Sequence, residues 1–421
     1  MTRVAGRRAA IIAIGSEMLS PLRQDTNSLW LTARLEEVGM EVVRKSVVGD
    51  DPRAIAEELA FASGRANAVF TTGGLGPTAD DVTVPAVAGW LKTPIRRDEG
   101  FLSRMRTRFE QRGIPMPSVN EKQADFIVGA RVLENPRGTA PGFWIEKDGV
   151  EYVVLPGVPS EMREILESSV LPALRARTGS SVLRRRVLRI SGMGESAVEE
   201  LVEPVYEKWK DHHVTILASP GEVQLHLCAR GEPGQTERRL DAMEADFRAV
   251  LGPRIFGRDE EELAASLGRL LKEQGKTLAV AESCTGGMVS TLLTDAPGSS
   301  DYFVGSVVSY ANSSKRDLLS VSKETLALHG AVSEEAAREM ARGARERFGT
   351  DLAAAVTGIA GPDGGTPEKP VGTVYFAVAD RDNREIAKKR SFVGDRAVVR
   401  RAASLHALEL LRRHLMSGVE R

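Results

Sequence analysis

The feature that leaves this chain the fewest possible folds is an alternation, repeated from residue 8 onward, of short apolar runs with stretches of helical period. "AAIIAIG" is followed by "TNSLWLTARLEEVG", in which Leu29, Trp30, Leu31 and Leu35 predict a helix stripe that stops at Gly39. "EVVRKSVVG" precedes "DPRAIAEELAFASG", where Asp51 and Pro52 read as cap and first-turn residue. "ANAVFTTGG" is a further strand running into glycines. Repeated β-α-β units predict a parallel sheet covered by helices on both faces, with ligands beyond the carboxyl ends of its strands.

The style changes at about residue 173. "RRVLRISGMGESAVEELVEPVYEKW" reads as strand, glycine turn and helix, "VTILASPGEVQLHLCARG" as a hairpin turning at Pro220-Gly221, and "TERRLDAMEADFRAVLG" as a helix. That order suits a small α+β module. The run Arg184-Arg185-Arg186 reads as a solvated edge rather than a phosphate contact. From 257 the α/β alternation resumes, with strands "TLAVAES", "DLAAAVTG" and "GTVYFAVA", helices around 323–348 and a terminal helix from about 395. Three domains are therefore expected over 1–172, 173–256 and 257–421, in line with a length of 421 residues at roughly 150 per domain. The overall class is α/β, and the middle module, which carries no chemistry of its own, is assigned to spacing or dimerisation.

Lys and Arg number 57 against 58 Asp and Glu, so no global field favours nucleic acid or an anionic membrane. Two distant cysteines, Cys228 and Cys284, make no disulfide framework, and a reducing cytoplasm is the expected compartment. The basic start and short apolar run of "MTRVAGRRAAIIAIGSEML" read as a buried first strand rather than a signal peptide. No stretch of about 18 uncharged apolar residues occurs, so no membrane span is expected.

In "TLAVAESCTGGMVS", Ser283, Cys284 and Thr285 stand side by side ahead of Gly286-Gly287. A serine hydroxyl attacks only when a base takes its proton. His329, His406 and His414 lie in or beside ordinary helical patterns. Lysine serves if burial lowers its pKa, and Lys315 in "SYANSSK" follows the end of the next strand. The competing readings are a helix cap for Ser283 and a surface position for Lys315. The loop "TGIAGPDGGTPEKPVGT", Thr357 to Thr373, holds five glycines and three prolines whose backbone could cradle an anion. "FVGDRAVVRR" opens the last helix, with Asp395 near its start and Arg396 and Arg400 on one face.

"AESCTGG", "YANSSK", "TGIAGPDGG" and "GDRAVVR", in that order over about 257–415, resemble the carboxyl-terminal domain of the CinA family, the nicotinamide mononucleotide deamidases. The resemblance implies hydrolysis of the nicotinamide carboxamide to nicotinic acid mononucleotide and ammonia without a cofactor. It places the nucleophile at Ser283, the base at Lys315 and the family's active-site tyrosine at Tyr310. Backbone N–H groups of Cys284–Gly287 are the candidate oxyanion donors. Cys284, Thr285, Gly286, Gly287, Thr357, Gly358, Gly361, Arg396 and Arg400 are the candidate substrate contacts, with Cys284 also the rival nucleophile.

"TTGGLGPTADDVT" joins a strand end, a glycine turn (Gly73, Gly74, Gly76), Thr78 and two carboxylates, Asp80 and Asp81. Its partner loop "GSEMLSPLRQDTN" offers Glu17 and Asp25. Glycines admit a phosphate, and such acids can hold a hard cation, although Asp80 or Asp81 is also expected to cap the next helix. "GSEML", "DTNSLWL", "VVGDD", "TTGGLGPTADDVT", "GTAPGF" and "LPGVPSEM", over about 8–165, resemble the molybdopterin-binding-like domain of CinA proteins. The resemblance implies cleavage of ADP-ribose to AMP and ribose 5-phosphate with a divalent metal (Mg, Mn or Co). It puts Asp81, with Asp80 and Glu17, at the metal, and Gly73, Gly74, Gly76, Thr78 and Asp25 at the substrate. Two positions depart from the pattern: Pro85 stands where an acid is common, and "SPLRQ" where relatives carry a glycine.

The expected partners are small nucleotides, nicotinamide mononucleotide and ADP-ribose, and a second copy in a homodimer, without nucleic acid or membrane. Two alternatives stand beside this: a molybdopterin-type nucleotidyltransferase at the amino end, and a non-enzymatic nucleotide-binding partner in competence or DNA damage.

Overall fold

The run Arg8–Ile14 is apolar on both faces, which suits a strand covered from both sides. It forms β1, an inner strand of the amino-terminal sheet. The computed structural model describes residues 7–21, 23–178, 181–210, 212–382 and 384–417. The basic start of the chain, read above against a signal peptide, lies mostly outside them, as does Leu22 of "SPLRQ". After β1 come α1 (Thr26–Glu37), β2 (Glu41–Val48), α2 (Pro52–Ser63), β3 (Ala68–Thr72), α3 (Thr83–Trp90), β4 (Ile95–Arg97), α4 (Glu99–Glu110) and β5 (Asp125–Ile127). They are followed by β6 (Arg131–Leu133), β7 (Gly142–Lys147), β8 (Val150–Leu155), α5 (Pro159–Ile165) and α6 (Leu171–Thr178).

The main sheet runs β2-β1-β3-β8-β7-β6. Its first four strands are parallel, with Ala9, Ile11 and Phe70 buried on one face and Ala10, Ile12 and Val69 on the other. The parallel sheet expected from the β-α-β units is present in these four strands, and β7 and β6 extend it antiparallel. The cause is local. Asp148 and Gly149 both take positive φ, which builds a two-residue hairpin pairing Lys147 with Val150. Asp51 caps α2 by accepting from Arg53 N–H, with Pro52 in the first turn. On α1 the buried face is Ser28, Leu31 and Leu35, while Leu29 is 63% exposed. One residue along a helix turns the side chain by about 100°, so Leu29 leaves the stripe.

The middle module comprises β9 (Val182–Ser191), α7 (Glu195–Lys208), β10 (His213–Ser219), β11 (Glu222–Gly231), α8 (Pro233–Leu251) and β12 (Ile255–Arg258), with strand order β10-β11-β9-β12. The hairpin at Pro220-Gly221 pairs Ser219 with Glu222. The short β12 is a strand the sequence reading passed over. Arg186 corrects the picture of a solvated basic edge, since its side chain is buried and paired with Asp241 and Glu244. The chain divides into two compact units, residues up to 184 with 229–239, and 185–228 with 240–421.

The carboxyl-terminal part holds α9 (Leu263–Glu273), β13 (Leu278–Glu282), α10 (Met288–Asp295), β14 (Phe303–Val308), α11 (Asn312–Leu319), α12 (Lys323–Leu328), α13 (Glu334–Phe348), β15 (Leu352–Gly358), β16 (Thr373–Asp380), β17 (Glu385–Ser391) and α14 (Arg396–Ser417). Its sheet runs β14-β13-β15-β16-β17. The first three strands are parallel, so the ends of β13, β14 and β15 fall together, Glu282 opposite both Val308 and Val356. β16 and β17 are antiparallel. Strand β17 escaped the sequence reading because it is polar; its lysines sit on a sheet edge, where charge discourages further pairing. No helix among the described residues is long and apolar enough to cross a membrane.

Helix α13 lies against the end of α11 through Gly343, whose missing side chain is where the Leu319 carbonyl sits. A methyl group at 343 has no room there. Gly343→Ala is expected to cost about 1–3 kcal/mol, read as a lower melting temperature. An unchanged thermal transition would contradict this packing.

Candidate functional site

Strand β13 is wholly apolar until Glu282, and Ser283 follows it directly, its N–H bonded to Val356 O at 2.9 Å. Lys315 lies on α11, one turn into the helix that follows β14. It is 1% exposed, and its Nζ stands 3.0 Å from Ser283 Oγ, 2.6 Å from Ser309 O and 3.3 Å from Tyr310 O. Burial holds this amine below the ordinary lysine range, with the Cys284 sulfur pulling the other way. Gly287 begins α10 with no side chain accepting at its start, so Ser283 is not its cap, and Lys315 is not at the surface; both competing readings of these residues are set aside.

Cys284 is buried, and burial first, then Glu282, pushes its thiol up to about 11, against the opposing pull of its own backbone N–H, Lys315 and Arg400. It is therefore a thiol at neutral pH, a weak nucleophile beside a serine that has a base. Glu282 is a residue the sequence reading passed over. It is fully buried, and its carboxylate accepts from the N–H groups of Gly287, Val289 and Ser290 and from Ser290 Oγ. The available signal was a lone carboxylate closing an apolar strand just before a helix.

That clamp corrects the oxyanion assignment. Gly287 N–H is taken by Glu282 and Gly286 N–H by Ser283 O. Among the described residues the N–H groups of Cys284 and Thr285 have no carbonyl or carboxylate partner, so they alone remain of the four. Thr285 Oγ1 and Arg400 Nε are buried with no hydrogen-bond partner, while Arg400 Nη2 donates to Thr285 O at 2.8 Å. Arg396 donates to Gly361 O and to Tyr310 Oη, at 2.8 and 3.0 Å, and Tyr310 is 61% exposed. Two expected contacts do other work. Thr357 Oγ1 donates to Ala331 O, and Gly358 lets the backbone of β16 approach at Thr373 and Val374.

At the amino-terminal end a cleft of about 720 Å³ opens beyond β1, β3 and β8. Glu17, Asp25, Asp80, Asp81 and glycines 73, 74 and 76 line it; Thr78 does not. Asp25 caps α1 through Ser28 N–H. Thr78 hydrogen-bonds Asp80, which lowers the Asp80 pKa, and its N–H and hydroxyl reach Asp81 Oδ2 at 2.8 and 2.6 Å. The cap expected of Asp80 or Asp81 on α3 is absent; Val82 begins that helix without a side-chain cap. Glu17, Asp80 and Asp81, the acids expected at a metal, share this cleft. Among the described residues no three His, Cys, Asp or Glu are placed to hold an ion. The reason is that Asp81 folds back onto Thr78 and Gly76, while Glu17 packs against Gly15. The residues present thus do not fit a preformed metal cage. Asn27, also missed, lines the cleft and ties Thr72 Oγ1 to Gly157 O.

Three family models match in order: "Probable molybdopterin binding domain" over residues 10–176, "Damage-inducible protein CinA KH domain" over 185–257 and "CinA C-terminal domain" over 260–415. A CinA-like protein of Solibacter usitatus is 45% identical over 97% of this chain and 98% of its own. One from Koribacter versatilis is 42% identical over 97% and 100%. The crystal structure of a competence/damage inducible protein from Agrobacterium tumefaciens is 40% identical, covering 37% of this chain and 96% of that one, with a TM-score of 0.35. On full-length likeness of this order, with all three domain models in sequence, the chain belongs to the CinA family.

Proposed function

We propose that the carboxyl-terminal site is a serine–lysine amidohydrolase that deamidates nicotinamide mononucleotide. The observation that carries this is the buried Lys315 amine 3.0 Å from Ser283 Oγ. Two of its N–H bonds are directed to Ser309 O and Tyr310 O, which leaves the lone pair of a neutral amine for the serine proton. Ser283 attacks the carboxamide carbon as Lys315 takes that proton. The negative oxygen of the tetrahedral adduct is met by the N–H groups of Cys284 and Thr285. The C–N bond breaks as Lys315 returns the proton to departing ammonia. Water, deprotonated by the same amine, then cleaves the nicotinoyl ester and frees nicotinic acid mononucleotide. Arg396, Arg400 and Thr285 Oγ1 supply donors for the nucleotide phosphate.

The amino-terminal cleft supports a second reading, ADP-ribose hydrolysis to AMP and ribose 5-phosphate. Its support is a cleft of nucleotide size floored by a glycine turn at strand ends. Because the acids form no cage, a divalent ion there would depend on the nucleotide's own phosphate oxygens for part of its shell. The alternative, a pterin nucleotidyltransferase, shares that cleft. On the leading reading the chain is a cytoplasmic, homodimeric salvage hydrolase whose partners are these two nucleotides, not nucleic acid.

Ser283→Ala is expected to abolish ammonia release, whereas Cys284→Ala keeps most of it; the reverse pattern would reassign the nucleophile. Because only neutral Lys315 is a base, deamidation should fall as pH drops below its lowered pKa. The ascending limb of the rate profile should therefore lie below the 10.5 of an ordinary lysine. Glu282→Gln places an amide nitrogen among donors, so the α10 turn should loosen and kcat fall roughly 10- to 100-fold with little change in KM. Equal kinetics in that variant would remove Glu282 from the site. A chelator should stop ADP-ribose cleavage and spare deamidation; pterin binding with no ADP-ribose turnover would favour the transferase.

A further inference from the structure

A second cavity, of about 280 Å³, adjoins the amino-terminal cleft at the glycine turn. The two share Gly74, Leu75, Gly76, Asp81 and Gln123, so one rim separates them. Thr83 pins that rim, its hydroxyl donating to Gly73 O at 2.8 Å and its N–H to Gly74 O at 3.2 Å. The volume falls just under the range of about 300–1,000 Å³ for whole ligands, and so suits one ring system of a larger one.

The walls are apolar: Leu75, Val82, Val84, Pro85, Ile95 and Phe143. The polar groups that do reach the cavity are already engaged. Gln123 donates to Leu75 O and accepts from Asn120, at 3.2 and 3.0 Å. Lys122 donates to the Thr78 and Asp81 carbonyls, and Asp125 is paired with Arg97. A ring placed here finds faces to pack against and few free donors or acceptors for its edges.

We propose that this cavity takes the base of the nucleotide whose phosphates occupy the neighbouring cleft, and that it holds the base by its face without reading its edge. The inference rests on the nucleotide reading of the amino-terminal cleft. Polar edges buried without partners would cost affinity, so they point outward to water. The site is then tolerant of base identity, and its substrate class is a nucleoside diphosphate sugar rather than ADP-ribose alone.

Calorimetric titration of the full chain with AMP, IMP and ribose 5-phosphate tests this. AMP and IMP should bind within about threefold of each other, and ribose 5-phosphate at least roughly tenfold more weakly. Val84→Asp, at the start of α3 where an acid suits the helix dipole, and Ile95→Asp, at a half-exposed position, should each weaken AMP roughly tenfold or more. Neither should change ribose 5-phosphate binding or deamidation. AMP bound equally by wild type and both variants would overturn the base pocket alone, as would IMP binding tenfold weaker than AMP. No AMP binding by the wild type would overturn the nucleotide reading together with the pocket.

Discussion

Much of the carboxyl-terminal domain can be understood from the cost of placing a lysine amine where water does not reach. An ammonium ion buried without a counter-charge is expensive, and burial accordingly lowers the pKa of the Lys315 amine. Two carbonyls, those of Ser309 and Tyr310, accept N–H bonds from the amine and so fix its position beside Ser283. Both carbonyls belong to the segment that leaves β14, and the lysine belongs to the helix that follows it. The amine is thereby oriented by its own chain. What remains is to bring the serine of β13 alongside, which parallel pairing of β13 with β14 does through matched strand ends.

A carboxylate next to such an amine would undo the arrangement by stabilising its charged form. Glu282 is adjacent in sequence to Ser283, yet its oxygens are turned to the start of α10, where four donors take up the charge. The same bonds occupy the helix end that would otherwise attract an anion. This is why, of the four N–H groups from Cys284 to Gly287, only those of Cys284 and Thr285 have no carbonyl or carboxylate partner among the described residues.

The sequence made legible what depends on neighbours along the chain: strand ends, caps such as Asp51, the turn at Pro220-Gly221, and the order of the four carboxyl-terminal motifs. Strand-end logic brought Ser283 and Lys315 into one region because parallel strands share a direction. Legibility failed where partners lie far apart in sequence. Nothing local to Thr357 announces that its hydroxyl is committed to Ala331, 26 residues earlier. Thr78, only three residues from Asp81, was a local partner that the reading of the acids as metal ligands passed over. The antiparallel β7 was, by contrast, readable: Asp148-Gly149 between apolar runs is a hairpin signal, overridden by the expectation of further β-α-β units. Polar β17 lacked the apolar alternation by which strands are recognised.

The two candidate sites differ most in charge, and that difference bears on how each could take a phosphorylated ligand. The amino-terminal cleft is lined by Glu17, Asp25, Asp50, Asp80, Asp81 and Glu161, with Arg23 as the basic residue among its lining groups. Several of these acids are tied to backbone or side-chain donors: Asp25 to Ser28, Asp50 to Ser16, Glu161 to Asn135. Hydrogen bonds fix their positions but leave their negative field in place. A bare pyrophosphate approaching such a surface meets repulsion, which added cations relieve by neutralising the ligand before it arrives. On the hydrolytic reading, charge neutralisation and substrate binding are therefore one event, and the incomplete acid set follows from it. The carboxyl-terminal site has no such requirement, because Arg396 and Arg400 already supply positive charge and its nearest buried acid is spent on a helix.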